Sequence, residues 1–219
     1  MYNSCIFKKN GAIYMIQISL TQFLDYSAKV STSAKINKVK EIKRSPDYHP
    51  AFDYWKPLRD TIKKIHEKGR PIEDLKGLLS TVDEKKVKNY TRAINTYISF
   101  VKRNKVEYFP VGKSTWNMND ELYVSSSPEL GLIINGKKYY VKNYYKKHDD
   151  KTKVILKNIN STLTLMSLSK PNFEIEPDAT FAVINFQNGK LIEAKAPSAD
   201  NLLELEIEAE NFINIWNKS

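Results

Sequence analysis

Between Pro128 and Lys147 the chain sets an acidic residue, Glu129, at the head of one apolar run and a lysine, Lys142, midway along a second. The runs flank Asn135-Gly136. Asn-Gly takes the positive φ that a type I′ turn needs at both central positions, so the stretch predicts a β-hairpin with strands at about 129–134 and 138–146. Alternation on the second strand puts Tyr140, Lys142, Tyr144 and Lys146 on one face. Cations interleaved with aromatic rings can hold a phosphate backbone without cutting it. The same face can equally be a half-exposed strand whose tyrosines cover the sheet. Lys35, Lys38, Lys40 and Arg44 in one segment, and Lys85, Lys88 and Arg92 in another, are further candidates for phosphate contacts.

These side chains need elements to hold them. Residues 1–14 follow neither the helical nor the strand period, and Met15, a candidate true start, opens a more regular segment. Thr21 reads as the N-cap of a helix that buries Phe23, Leu24 and Ala28, with Ser31-Thr32-Ser33 interrupting it. A second helix over 33–44 carries the first lysine cluster. The pair has the lengths and charge of a helix-turn-helix, but its turn lacks a glycine and carries no fingerprint. Phe52, Trp55, Leu58, Ile62 and Ile65 then recur at helical spacing, with Pro57 in the first turn. A short helix to about Leu79 follows, and Val87, Tyr90, Ile94, Tyr97 and Val101 mark a long one over 84–104. After Asn104 the period changes to two. Strands are expected at 106–109, 114–118 and 122–125, then the hairpin, a helix over 151–168, and a second hairpin, 180–186 and 190–194, around Gln187-Asn188-Gly189. Leu202, Leu205, Ala209, Phe212 and Trp216 define a last helix.

The 219 residues are 41% hydrophobic, enough for substantial cores. A single cysteine, Cys5, excludes an internal disulfide framework, and three scattered histidines give a His-based metal site no support. No run nears the ~20 apolar residues of a membrane span, so the expectation is a cytoplasmic protein without a membrane partner. No glycine-rich phosphate loop occurs. The net charge of +10 is uneven: residues 15–105 carry 20 Lys and Arg against 10 Asp and Glu, and residues 106–219 carry 13 against 15. A basic half suits docking to a polyanion, nucleic acid being the commonest, or an acidic protein partner. Lysine-rich solvated helix faces would give the same charge.

The order helix, three strands, helix, two strands, helix, with Glu129 and Lys142 on adjacent strands, resembles the restriction-endonuclease-like PD-(D/E)XK nuclease superfamily over about the last half of the chain. That resemblance implies a site in which two carboxylates hold Mg²⁺ and a lysine orients the attacking water. Glu129 matches the first acid and metal ligand. Where the family has acid-x-Lys, this chain has Lys142-x-Tyr144, which removes a ligand and puts a cation where Mg²⁺ would sit. A second frame, Pro177-Asp178 followed by Glu193-Ala194-Lys195, matches the letters better, although little chain remains after it to complete the core.

The sequence thus predicts an α+β protein in three parts: an irregular extension, 1–14; a basic helical bundle, 15–105; and a nuclease-like α/β domain, 106–219, with a mixed sheet of about five strands flanked by helices. The expected function is nucleic-acid binding by a catalytically degenerate nuclease-like domain that needs no cofactor. The alternatives are a Mg²⁺-dependent nuclease using Asp178, Glu193 and Lys195, and an interaction module for an acidic protein. Oligomeric state is left open.

Overall fold

Ile16 and Ile18 are buried and alternate with exposed Gln17 and Ser19, so the earliest described segment is a strand, β1 (Ile16–Ser19), that the sequence reading left unassigned. The computed structural model describes residues 15–46, 49, 53–147, 150 and 152–219. The expected 1–14 extension and Phe52 lie outside them. β1 runs directly into α1 (Leu20–Ser27). The cap is Ser19, not Thr21: its hydroxyl accepts from the Gln22 N–H, and the Gln22 side chain accepts from the Ser19 N–H in return. α2 (Thr32–Arg44), α3 (Lys56–Glu67), a 3-10 helix (Ile72–Ser80) and α4 (Glu84–Arg103) complete the first half.

Then follow β2 (Val106–Phe109), β3 (Ser114–Met118), β4 (Leu122–Ser125), β5 (Leu130–Ile134) and β6 (Lys137–Tyr144). α5 (Leu156–Leu168) starts later than its spacing predicted, and β7 (Lys170–Pro171), β8 (Thr180–Asn185), β9 (Lys190–Glu193) and α6 (Ala199–Lys218) close the chain. The described residues thus form a mixed α+β fold with seven helices.

The strands build two sheets, ordered β1-β4-β3-β7 and β2-β5-β6-β8-β9, where a single sheet of about five strands was expected. β1 pairs parallel with β4, Ile16 beside Leu122 and Ser19 beside Ser125. The β5–β6 hairpin turns as expected, with φ of 51° at Asn135 and 85° at Gly136. In the second hairpin only Gly189 takes positive φ. Asn185 pairs with Lys190, leaving a four-residue loop in place of a two-residue Asn-Gly turn. β6 and β8 run parallel, with α5 in the crossover between them.

The helices do not gather into one bundle on one side of a sheet. α3, the 3-10 helix and α4 cover one face of the five-stranded sheet, where Leu58, Ile62, Tyr90, Ile94 and Tyr97 meet Leu130, Leu132, Val141, Ala182 and Ile184. α1, α2, α5 and α6 share a second core with the four-stranded sheet and with Tyr144 and Val183 from the other face of the five-stranded one. The division expected at 105/106 therefore crosses both cores, because each draws apolar residues from both sides of it. Among the described residues no helix is long and apolar enough to cross a membrane.

Candidate functional site

Glu129 immediately precedes β5, and its N–H carries the ladder one residue further by donating to the Val141 carbonyl at 2.8 Å. Its side chain meets Lys142, midway along β6, and the two form an ion pair with side chains only 10% and 9% exposed. The second carboxylate oxygen accepts from the Tyr145 hydroxyl at 3.3 Å, and Asn143 donates to that hydroxyl at 3.1 Å. A pair buried this deeply recovers its desolvation cost only when other hydrogen bonds and charges support it. Arg59 on α3 supplies one such charge. Burial opposes the charge on its guanidinium, but Glu129 and Asp53 outweigh that and raise its pKa, with Asp53 accepting from it at 2.7 Å. Burial, and then Glu129, push the Tyr145 phenol well up, so it remains a donor.

Aromatic rings close over this network. Trp55 stacks on Tyr145 at 5.7 Å and on Tyr90 at 5.2 Å. Tyr97 stacks on Phe186 at 5.1 Å and its hydroxyl meets His66 Nε2 at 2.7 Å. Burial holds the His66 imidazole down at about 4.

A second ionic network lies just beyond the end of β6. Lys146 bridges Asp25 on α1 at 2.8 Å and Asp150 at 3.0 Å, and Arg92 on α4 donates to the Lys146 carbonyl at 2.7 Å. Burial works against ionised Asp150, yet its bonds to Thr152 and Lys146 hold its carboxyl well below the usual range. Burial first, then Asp25 and Asp150, raise the neighbouring Tyr144 phenol.

These placements correct the sequence reading of β6. Lys142 and Tyr144 are buried, and Lys146 is committed to two carboxylates, so the strand does not present them as an open phosphate-binding face. Side-chain alternation was read rightly, but the second core covers the face expected to be half exposed. On α2, Lys35 reaches across to Glu208 on α6 and Lys38 pairs with Glu41 at 2.5 Å, whereas Lys40 is half-buried and Arg44 exposed. Lys43 donates to the Trp216 and Ser219 carbonyls, which clamps α2 to the end of α6 and fits poorly with a free recognition helix. On α4, Lys85 and Lys88 are exposed as expected.

Asp178, Glu193 and Lys195 do not assemble. Asp178 sits exposed before β8 with φ of 62°, and Lys195 is exposed beyond β9. Glu193 accepts from Lys137 at 2.5 Å and Tyr139 at 3.0 Å, and no hydrogen bond or ion pair joins the three among the described residues. Glu129, the residue matched to the first metal ligand, has no second carboxylate beside it on β6. Its own carboxylate is engaged by Lys142 and Tyr145, and no group of three or more His, Cys, Asp or Glu gathers among the described residues.

Sequence reasoning missed Arg59, Tyr145, Tyr54 and Lys147. Arg59 and Tyr54 were hidden because helical spacing ranks apolar positions and passes over polar ones that point to the same side. Tyr145 was hidden because alternation in the expected strand sets it opposite Lys142, whereas β6 ends at Tyr144 and the next residue reaches back to Glu129; Lys147 lies past the expected strand. No family model matches the chain, and no curated protein matches it.

Proposed function

We propose that this protein binds nucleic acid on a nuclease-like core whose catalytic position has been converted to a structural ion pair. The observation that carries this reading is Lys142 paired with Glu129 inside the β5–β6 hairpin. An ammonium held against the first acid takes the place a divalent cation would need, and the strand offers no second carboxylate there. The antiparallel β5–β6 pair, the α5 crossover and parallel β8 support the likeness in architecture. The net charge of +10 and exposed lysines such as Lys85 and Lys88 support phosphate contact. The catalytic alternative through Asp178, Glu193 and Lys195 is the weaker reading, because Glu193 is already engaged by Lys137 and Tyr139.

The test has two arms. Labelled single-stranded and duplex oligonucleotides are titrated with the protein over a range of salt, and the same substrates are incubated with it and Mg²⁺ or Mn²⁺. Binding that weakens as salt rises, without cleavage, is the expected result. Absence of binding at low salt sinks the reading, and cleavage abolished by Glu193→Gln replaces it with the nuclease.

A further inference from the structure

Tyr54 stands in the turn before α3, half-buried, and its ring is fixed from several sides. Its hydroxyl accepts from Asn89 on α4 at 3.0 Å, Trp55 meets it edge-on at 4.8 Å, and Tyr90 packs at 6.0 Å. Two ammonium groups converge on this ring: Lys86 from the first turn of α4, 5.1 Å from the centroid, and Lys147 from just beyond β6, 4.8 Å from it. The two charges therefore stand about 10 Å apart or less, no more than about the Debye length at 0.1 M salt.

Neither lysine makes an ion pair among the described residues. The contrast with nearby cations is informative: Lys56 pairs with Asp60, Arg59 with Asp53, and Lys146 with both Asp25 and Asp150. Cation–π attraction offsets part of the repulsion between two like charges, but an anion placed between them would remove it. The backbone that carries Lys147 is already anchored by the Arg92 bond to Lys146 and by the stacking of Tyr145 on Trp55, so little ordering is left for a ligand to impose. Exposed Lys85 and Lys88 extend the positive surface along α4.

We propose that Tyr54, Lys86 and Lys147 form a docking point for the phosphodiester backbone of a nucleic acid. This rests on the reading of the protein as a nucleic-acid binder and gives that reading a place on the surface. An acidic peptide is the competing partner. A half-buried aromatic ring beside two ammonium groups favours nucleic acid, because cations interleaved with aromatic rings suit a sugar-phosphate strand, whereas a carboxylate chain has no use for the ring.

The experiment is fluorescence anisotropy with a labelled oligonucleotide, single-stranded and annealed to its complement, against wild-type protein and three double variants. Lys86→Gln with Lys147→Gln is expected to weaken binding at least tenfold at low salt. It should also flatten the log–log salt dependence by about 1.4 for a single strand or about 1.8 for a duplex. Lys86→Arg with Lys147→Arg keeps the charge and should bind like wild type, with equal thermal unfolding of both pairs excluding a folding defect. Lys190→Gln with Lys218→Gln removes the same charge elsewhere and should lose much less. If wild type binds and the two glutamine pairs lose equally, the site is wrong while the nucleic-acid reading stands. If wild type does not bind at low salt, both fail. Displacement by poly-glutamate as effectively as by unlabelled oligonucleotide at equal charge would assign the site to an acidic protein and overturn the proposal.

Discussion

Lys142 carries a charge into the interior of the hairpin, and its worth to the fold depends on Glu129 remaining opposite it. Replacing one partner leaves the other buried and unpaired, so Lys142→Met should cost about 3–5 kcal/mol in denaturant unfolding. Adding Glu129→Gln should return most of that loss; a double variant as unstable as the single one would show that the pair is not the unit of stabilisation. His66 gives a pH-dependent counterpart. Its folded pKa of about 4 lies below the ordinary 6.5, so the imidazole is neutral in the folded protein at pH 7. Its contribution is complete above about pH 6.5 and is lost as pH falls through about 4, roughly 3 kcal/mol in all. His66→Gln should flatten the stability profile in that window, and an unchanged profile would mean that the ring is solvated when folded. At this scale the sequence was half legible. It placed Glu129 and Lys142 on the two strands of one hairpin, because Asn135-Gly136 marks the turn between them. It did not reveal that Lys142 is spent on Glu129, because burial of a face depends on what packs against it from elsewhere in the chain.

Among the elements, β5 and β2 are joined at an unusually close approach. Gly131 lies opposite Phe109, and a Cβ there would meet the Phe109 ring at 2.5 Å and its carbonyl oxygen at 2.6 Å. That ring lies edge-on to Tyr140 at 5.5 Å, so it has little room to retreat. Gly131→Ala should therefore destabilise the protein by about 1–3 kcal/mol, read as a shift of the denaturant midpoint at constant m-value. A neutral substitution would mean that β2 yields as an edge strand can. Most elements were legible in the sequence: α4 buries Tyr90, Ile94 and Tyr97 as its spacing marks, and α6 buries Leu205, Ala209 and Phe212, although Leu202 at the head of that stripe is exposed. β1 was missed because its Ile-Gln-Ile-Ser alternation runs straight into α1, with Ser19 serving both as the last strand residue and as the helix cap, so no turn residue marks it off. α5 was extended too far because Ile155 is apolar and sits at helical spacing, yet it lies outside the helix and is exposed.

For the whole molecule, the change from helical to strand period near residue 105 reads like a boundary, and the packing does not respect it. Val183, Phe212 and Leu205 share a core with Phe23, Leu24 and Val39. Val141 and Ile184 share the other with Leu58, Ile62 and Ile94. A fragment of residues 106–219 should accordingly show no cooperative thermal transition and should bind dyes that report exposed apolar surface. Independent two-state unfolding of that fragment would restore the two-domain description. The parallel pairing of β1 with β4 joins segments about 100 residues apart in the chain. During synthesis at ~5–20 residues per second, β1 therefore leaves the ribosome roughly 5–20 s before its partner strand exists. Ile16 and Ile18 spend that interval as an open apolar strand edge, a template for pairing with other nascent chains. The same strand that ties the finished fold together is thus, in the newborn chain, an early opening for mispairing.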